Sequence, residues 1–322
     1  MNVASDRVAD RTSAPASAAE RVLLVGGGDL GMRVAARLLG ADAMPPGQAL
    51  PATQMPPAAT PRPPAMNPPA VWVLRRHPPS GKSTGPLQWL AGDVSRPDTL
   101  TVLPRGITRV VYVLAPDSRD PQAYRDVFID GPRNLLAALD TSALRRLVFV
   151  SSSAVYGDHA GDWIDEDTPP APQGKNGEIL LQAEQWLAGQ RLPVTALRLA
   201  GLYGPGRVQL LERLRQGQAR VPRTVPHWAN RMHADDAAAA IAHLVHLAGA
   251  LPVYLGADDT PLTLDVLYDH LARLLGAPLP ADGPAPGGVG SKRMRNTRLR
   301  ASGLQLAWPD ARQGYARLIE SL

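Results

Sequence analysis

Arg21-Val22-Leu23-Leu24-Val25 runs directly into Gly26-Gly27-Gly28-Asp29-Leu30-Gly31, and a helix-forming stretch follows to Leu39. Leucine and β-branched residues without polar alternation read as a strand buried on both faces. The glycines fall at the spacing Gly26-x-Gly28-x-x-Gly31, immediately after that strand and at the opening of the helix. Each has a mechanical role: a tight turn out of the strand, close backbone approach to a diphosphate, and close packing of helix on strand. The helix start adds unpaired N–H groups and a partial positive charge, which suit phosphate oxygens. The pattern predicts a dinucleotide site, with Gly26, Gly28, Asp29, Leu30 and Gly31 around it.

Outward from this unit, buried strands are expected at 71–74, 87–90, 109–114 and 146–150, with a helix over 122–139 between the last two. Strands alternating with helices predict a parallel sheet covered on both faces, an α/β doubly wound sheet of Rossmann type. Further elements are expected as a helix at 178–187, a strand at 194–199, an Ala-rich helix at 234–247 and a last strand at 253–255. Residues 1–20 read as a disordered tail, and the Pro- and Ala-crowded segment 41–70 as a surface insertion. The dinucleotide-binding domain is expected over 21–200, completed by 231–256. Residues 201–230 and 257–322, richer in Pro, Arg and Gly, are expected to form a smaller C-terminal substrate lobe over the carboxyl edge of the sheet.

The totals exclude several function classes. The 322 residues are 44% hydrophobic and 20% charged, ordinary for a globular protein. No apolar run of about 18 residues is present, so no membrane partner is expected. The first 20 residues lack the apolar stretch of a secretory signal, which predicts a cytoplasmic protein. With 0 Cys, disulfide and thiolate chemistry are out. The 34 basic and 29 acidic side chains give a net charge of +5, and the basic residues are dispersed, so no nucleic-acid partner is predicted. No His/Asp/Glu spacing suggests a metal site.

The second strand ends at Leu74-Arg75-Arg76. This is where such sheets read the adenosine ribose: an acidic residue there favours NAD, and arginines favour the 2′-phosphate of NADP. Arg75 and Arg76 therefore point to NADP over NAD, unless both are solvated strand-end residues. Asp93, followed by Val94, offers a carboxylate for an adenine amino group, or equally a turn aspartate capping the next helix. Ala115, with Pro116, closes the fourth strand with small residues where the cofactor would pass.

Later segments carry a family likeness. Val148-Phe149-Val150-Ser151-Ser152-Ser153-Ala154-Val155-Tyr156-Gly157-Asp158 is followed by Arg198-Leu199-Ala200-Gly201-Leu202-Tyr203-Gly204-Pro205-Gly206-Arg207. Arg231-Met232-His233-Ala234-Asp235-Asp236 and Lys292-Arg293-Met294-Arg295-Asn296 complete the series. In this order the segments resemble the extended short-chain dehydrogenase/reductase superfamily, the NAD-dependent epimerase/dehydratase family. The resemblance places Ser152, four residues before Tyr156, where a hydroxyl orients a substrate oxygen; a strand-end serine satisfying backbone groups is the alternative. Ser151 is expected beside the cofactor.

The family's Tyr-Gly-x-Ser-Lys-x-x-x-Glu segment aligns through Gly177 and Glu184, which puts Asn176 at the tyrosine and Leu180 at the lysine. An amide does not titrate and leucine has no charge, so neither can supply the usual phenol–ammonium pair. Phe128 stands where the family commonly has an Asn before Gly131. The resemblance thus implies an atypical member.

Two functions fit these residues. One is an NAD(P)-dependent oxidoreductase or epimerase/dehydratase-type enzyme acting on a polar, nucleotide-sugar-like small molecule. In it Ser152 and Tyr156 would be catalytic, and Tyr203, Arg207 and Arg293 would contact substrate. The other is a non-catalytic NAD(P)-binding redox sensor or scaffold. Family members often pair through helices such as 122–139 and 178–187, which implies a homodimer.

Overall fold

The computed structural model describes residues 20–40, 69–80, 85–285, 287–288 and 290–322. The expected tail 1–20 and insertion 41–70 lie almost wholly outside them. The central sheet contains β1 (Arg21–Val25), β2 (Ala70–Arg75), β3 (Leu87–Ala91), β4 (Arg109–Tyr112), β5 (Arg146–Ser152), β6 (Val194–Leu199) and β7 (Val253–Gly256). All pair in parallel, in the order β7-β6-β5-β4-β1-β2-β3. The order reverses between β1 and β4, so the carboxyl ends of these two strands open a crevice for a ligand.

Side chains of β1 explain why the sheet is covered on both faces. Leu23 and Val25 join one apolar cluster, with Phe128, Leu135, Phe149, Leu180 and Leu187. Val22 and Leu24 join another, with Val34, Leu38, Ala237, Ile241 and Leu244. The second face is covered by α1 (Asp29–Leu39) and α6 (Ala234–His246). Ala237, Ala238 and Ala240 are fully buried, and their small side chains let α6 lie close on its neighbours.

On the first face lie α2 (Pro121–Arg125), α3 (Gly131–Ala138) and α4 (Lys175–Ala188). The single helix expected over 122–139 is interrupted by a π-helical turn at Asp126–Asp130. The cause is a side chain inserted into the helical ladder. Tyr112 on β4 donates its hydroxyl to the Val127 carbonyl. A Cβ on Gly131 would lie 2.3 Å from that same hydroxyl oxygen, so only glycine fits beside it.

A third apolar cluster joins α5 (Gln209–Arg215), α7 (Leu264–Leu274) and α9 (Ala311–Glu320) around Leu211, Leu267, Tyr203 and Tyr315. Residues 257–322 are not confined to this cluster. Leu299 on α8 (Thr297–Ala301) and Leu304 pack into the α1–α6 face, and Met294 packs into the opposite one. Among the described residues no helix is long and apolar enough to cross a membrane.

Candidate functional site

At the reversal point the sheet holds a cleft of about 630 Å³, within the roughly 300–1,000 Å³ typical of ligand pockets. Its floor is the glycine-rich turn. Gly26 has φ +117° and its missing Cβ would lie 2.6 Å from the Val113 carbonyl oxygen, so the turn is pressed against the end of β4. Gly31 is tighter, with a Cβ position 1.9 Å from the Gly26 carbonyl oxygen. Gly28 differs from both: nothing lies within 4 Å of its Cβ position, which is open. Gly28 also caps α1 without a side-chain hydrogen bond. The first intrahelical bond runs from the Met32 amide to the Gly28 carbonyl, which leaves the preceding first-turn N–H groups without helical partners.

At one end of the cleft stand Arg75 and Arg76. The Arg75 guanidinium lies 5.7 Å from the Trp89 ring centroid. Arg76 reaches across to Asp117 and donates from both terminal nitrogens, at 2.6 and 2.7 Å. Asp93 lines the same end together with Val94, and its carboxylate accepts from the Ser95 amide (2.9 Å) and hydroxyl (2.8 Å). That is the turn geometry left open as an alternative for this residue. Ala115 and Pro116 line the passage to the other end, where Tyr124, Phe128, Ser151, Ser152, Leu180 and Leu202 gather.

This far end sets Phe128, Leu180 and Leu202 beside the hydroxyls of Tyr124, Ser151 and Ser152. Leu180 is buried and lines it, and Asn176 is not among the lining residues. Asn176 instead donates from its side-chain amide to the Arg119 carbonyl (3.1 Å), tying the start of α4 to the segment before α2. Ser152 accepts a hydrogen bond from the Ala154 amide at 3.2 Å. That contact uses an oxygen lone pair and not the hydroxyl proton. Tyr124 is the one phenol among the lining residues, one helical turn before Phe128 and tilted against its ring.

Three expected site residues lie elsewhere. Tyr156 is fully buried, accepts from Arg198 (2.6 Å) and donates to the Asp165 carbonyl (2.9 Å); burial pushes its phenol up to about 12. It is part of an internal network in which Arg198 donates to both oxygens of Glu184, and Ser151 donates to Glu184 as well. With its hydroxyl so engaged, Tyr156 has no route to a substrate in the cleft. Tyr203 is fully buried in the C-terminal cluster, stacked on Tyr315 with ring centroids 4.3 Å apart. Arg293 lies between Trp163 and Trp228, at 5.0 and 4.7 Å, and donates to the Gly161 carbonyl. Arg207 does line the cleft, beside Asp29 rather than at the Ser152 end.

His233 holds the start of α6, accepting the Asp235 amide on Nδ1 at 3.1 Å. Burial, with Arg33 and Arg37 nearby, lowers its pKa from 6.5 to about 3. The unfolded chain therefore takes up a proton in that range that the folded chain does not, so stability is full above the unfolded value and falls as the pH drops through the window. His233→Asn, which keeps an acceptor at the cap, is expected to flatten the acid limb of stability against pH. Thermal melts from pH 7 down to pH 4 check this, and an unchanged limb counts against it.

A family model for the NAD dependent epimerase/dehydratase family matches residues 66–250, more than half of the chain. The chain belongs to this family. It is the group that the Val148–Asp158 and Arg198–Arg207 segments resemble. A Methylobacillus flagellatus structure described as a candidate NAD-dependent epimerase/dehydratase is 32% identical, with a TM-score of 0.71 over 94% of this chain and 99% of that one. Protein YeeZ of Escherichia coli strain K12 is 32% identical over 157 residues, 47% of this chain and 54% of YeeZ. The chain thus spans about half the length of that curated relative. Thermus thermophilus UDP-glucose 4-epimerase, solved in complex with NAD, is 20% identical with a TM-score of 0.71 over 93% of this chain and 98% of that one, a likeness of fold.

Proposed function

We propose that this epimerase/dehydratase-family chain binds a nicotinamide dinucleotide in the cleft, preferring NADP(H) to NAD(H), and acts as an oxidoreductase or epimerase/dehydratase-type enzyme on a polar, nucleotide-sugar-like substrate. The observation that carries the reading is one continuous cleft running from the open glycine at the start of α1 to two arginines at the end of β2. The residues present fit such a group. The α1 start offers amides to a diphosphate, Arg75 offers charge to a 2′-phosphate with Arg76 beside it held by Asp117, and the far end accepts a ring. Relatives support the cofactor and substrate class: the Thermus enzyme was solved with NAD, and a Lactobacillus helveticus UDP-glucose 4-epimerase is 35% identical over 98 residues, 29% of this chain and 30% of that one.

The bound dinucleotide would supply the redox chemistry. The chain's own part is to orient a substrate oxygen with the Ser152 hydroxyl, beside the apolar side chains of Phe128, Leu180 and Leu202. With Asn176 and Leu180 unable to serve, we assign proton exchange to Tyr124, the phenol that lines the cleft. The test is single-turnover hydride transfer in both directions: reduction of bound NADP⁺ by a panel of sugar nucleotides, and oxidation of bound NADPH by a panel of carbonyl compounds. Turnover that slows in Ser152→Ala supports the enzyme reading.

A second reading rests on Asn176 and Leu180 at the positions of the family's acid–base pair: a non-catalytic NAD(P)-binding sensor or scaffold. Tight cofactor binding without turnover on any member of the panel favours it.

Arg75→Asp is expected to weaken NADP binding about tenfold or more, the loss of one charge-assisted contact, and to weaken NAD binding less. Equal losses for the two cofactors, measured by calorimetry, refute the 2′-phosphate assignment.

A further inference from the structure

Arg207 sits in the C-terminal half of the sequence yet lines the cleft beside the glycine-rich turn. It is delivered there by a tight turn, Gly204-Pro205-Gly206-Arg207. The Arg207 amide donates to the Gly204 carbonyl at 2.9 Å, and Gly204 and Gly206 have φ values of +132° and +80°. Proline followed by a positive-φ glycine in the two central positions is the signature of a type II turn. The turn is anchored to α1. Arg33, almost completely buried, donates from one terminal nitrogen to the Pro205 carbonyl (3.2 Å) and from the other to Asp235 (2.5 Å). Its Nε donates to one oxygen of Asp29 (2.8 Å), and the other Asp29 oxygen pairs with a terminal nitrogen of Arg207 at 3.2 Å.

The chain Asp235–Arg33–Asp29–Arg207 balances two anions with two cations. Asp29 opens α1, where a carboxylate would repel a ligand's phosphates if it stood alone. Arg207 cancels that charge and keeps donors to spare. Its Nε is buried and has no hydrogen-bond partner among the described residues. A guanidinium presents five N–H groups in a planar fork, so one edge can hold Asp29 while the other meets a phosphate.

We propose that Arg207 is a direct contact of the dinucleotide's diphosphate, positioned by Asp29, so that the diphosphate is gripped from α1 on one side and from the 204–207 turn on the other. This rests on the dinucleotide reading of the cleft and moves Arg207 from a substrate role to a cofactor role.

The experiment is calorimetric titration of the full chain and of its Arg207→Ala and Arg207→Lys variants with NAD⁺, ADP-ribose and adenosine. Arg207→Ala is expected to weaken NAD⁺ and ADP-ribose about tenfold or more, the worth of a charged hydrogen bond, and to leave adenosine binding within about twofold, since adenosine has no phosphate to lose. Arg207→Lys, which keeps the charge and loses the fork, is expected to fall between the two and covers the case in which the alanine variant does not fold. Variants that bind ADP-ribose as the parent does overturn the proposal. So does an equal loss for ADP-ribose and adenosine, which marks general damage to the cleft. If the parent chain itself binds neither NAD⁺ nor NADP⁺, the dinucleotide reading fails first and this contact falls with it.

Discussion

Gly31→Ala is expected to destabilise the whole fold severely, whereas Gly28→Leu is expected to leave the chain folded and unable to bind a dinucleotide. The two positions lie three residues apart in one motif and differ in what surrounds them. A Cβ on Gly31 would fall 1.9 Å from the backbone oxygen of Gly26. That atom cannot swing aside, because Gly26 is itself pressed against the Val113 carbonyl and its amide is held by the Leu74 carbonyl at 3.0 Å. Relief requires α1 to move off β1, and overpacking of this kind costs on the order of 3 kcal/mol, a large share of the roughly 5–15 kcal/mol that holds a domain folded. A leucine at Gly28 meets no protein atom near its Cβ and has an allowed backbone, φ −81° and ψ −169°. Its side chain projects where backbone amides would approach a diphosphate, and a loss of about a hundredfold or more in affinity follows from blocking that approach. Thermal melts and calorimetry on both variants check the pair. A Gly31→Ala chain as stable as the parent, or a Gly28→Leu chain that binds NADP⁺ normally, contradicts this account of the turn.

Glu184→Ala is expected to be the second large effect. Glu184 on α4 and Arg198 on β6 form a pair in which both side chains are only 6% exposed, closed by bonds of 2.7 and 3.0 Å. Ser151 and Tyr156 complete the network from β5 and the turn after it. Removing the carboxylate leaves the guanidinium buried and unpaired, which typically costs about 3–5 kcal/mol. Glu184→Gln retains acceptor and shape and is expected to cost less. Denaturant unfolding of the two variants measures the difference. Small losses in both variants would contradict the cost assigned to an unpaired buried guanidinium.

The fold was legible because its signals are local. The unbroken apolar run of β1, the glycine spacing after it and the alternation of strands and helices all follow from neighbours in sequence, and the parallel seven-stranded order agrees with them. The π-helical turn at 126–130 was not legible, since its cause is the Tyr112 hydroxyl arriving from a different strand.

The site divides in the same way. Gly26, Gly28 and Gly31, and the arginines ending β2, carry their geometry in short segments. Tyr156 and Tyr203 do not. Whether a phenol in a strand-end turn faces a cleft or the interior depends on Arg198 and Tyr315, far away in the chain, and both tyrosines turn inward. Arg293 is likewise drawn between two tryptophans that no spacing rule connects to it. Tyr124 belongs to no motif, and its only sequence signal is the i,i+4 relation to Phe128 that puts both on one side of the helical path. Arg207 could be picked out as a basic residue, but its meaning comes from Asp29, which only the folded chain brings within 3.2 Å.

The most direct measurement is calorimetric titration of the unmodified chain with NADP⁺ and with NAD⁺, paired with thermal denaturation in each. Saturable heat at one dinucleotide per chain, tighter for NADP⁺, with a rise in melting temperature, is the predicted result. No heat and no thermal protection at saturating concentrations of either nucleotide would contradict the assignment of the α1 cleft as a dinucleotide site.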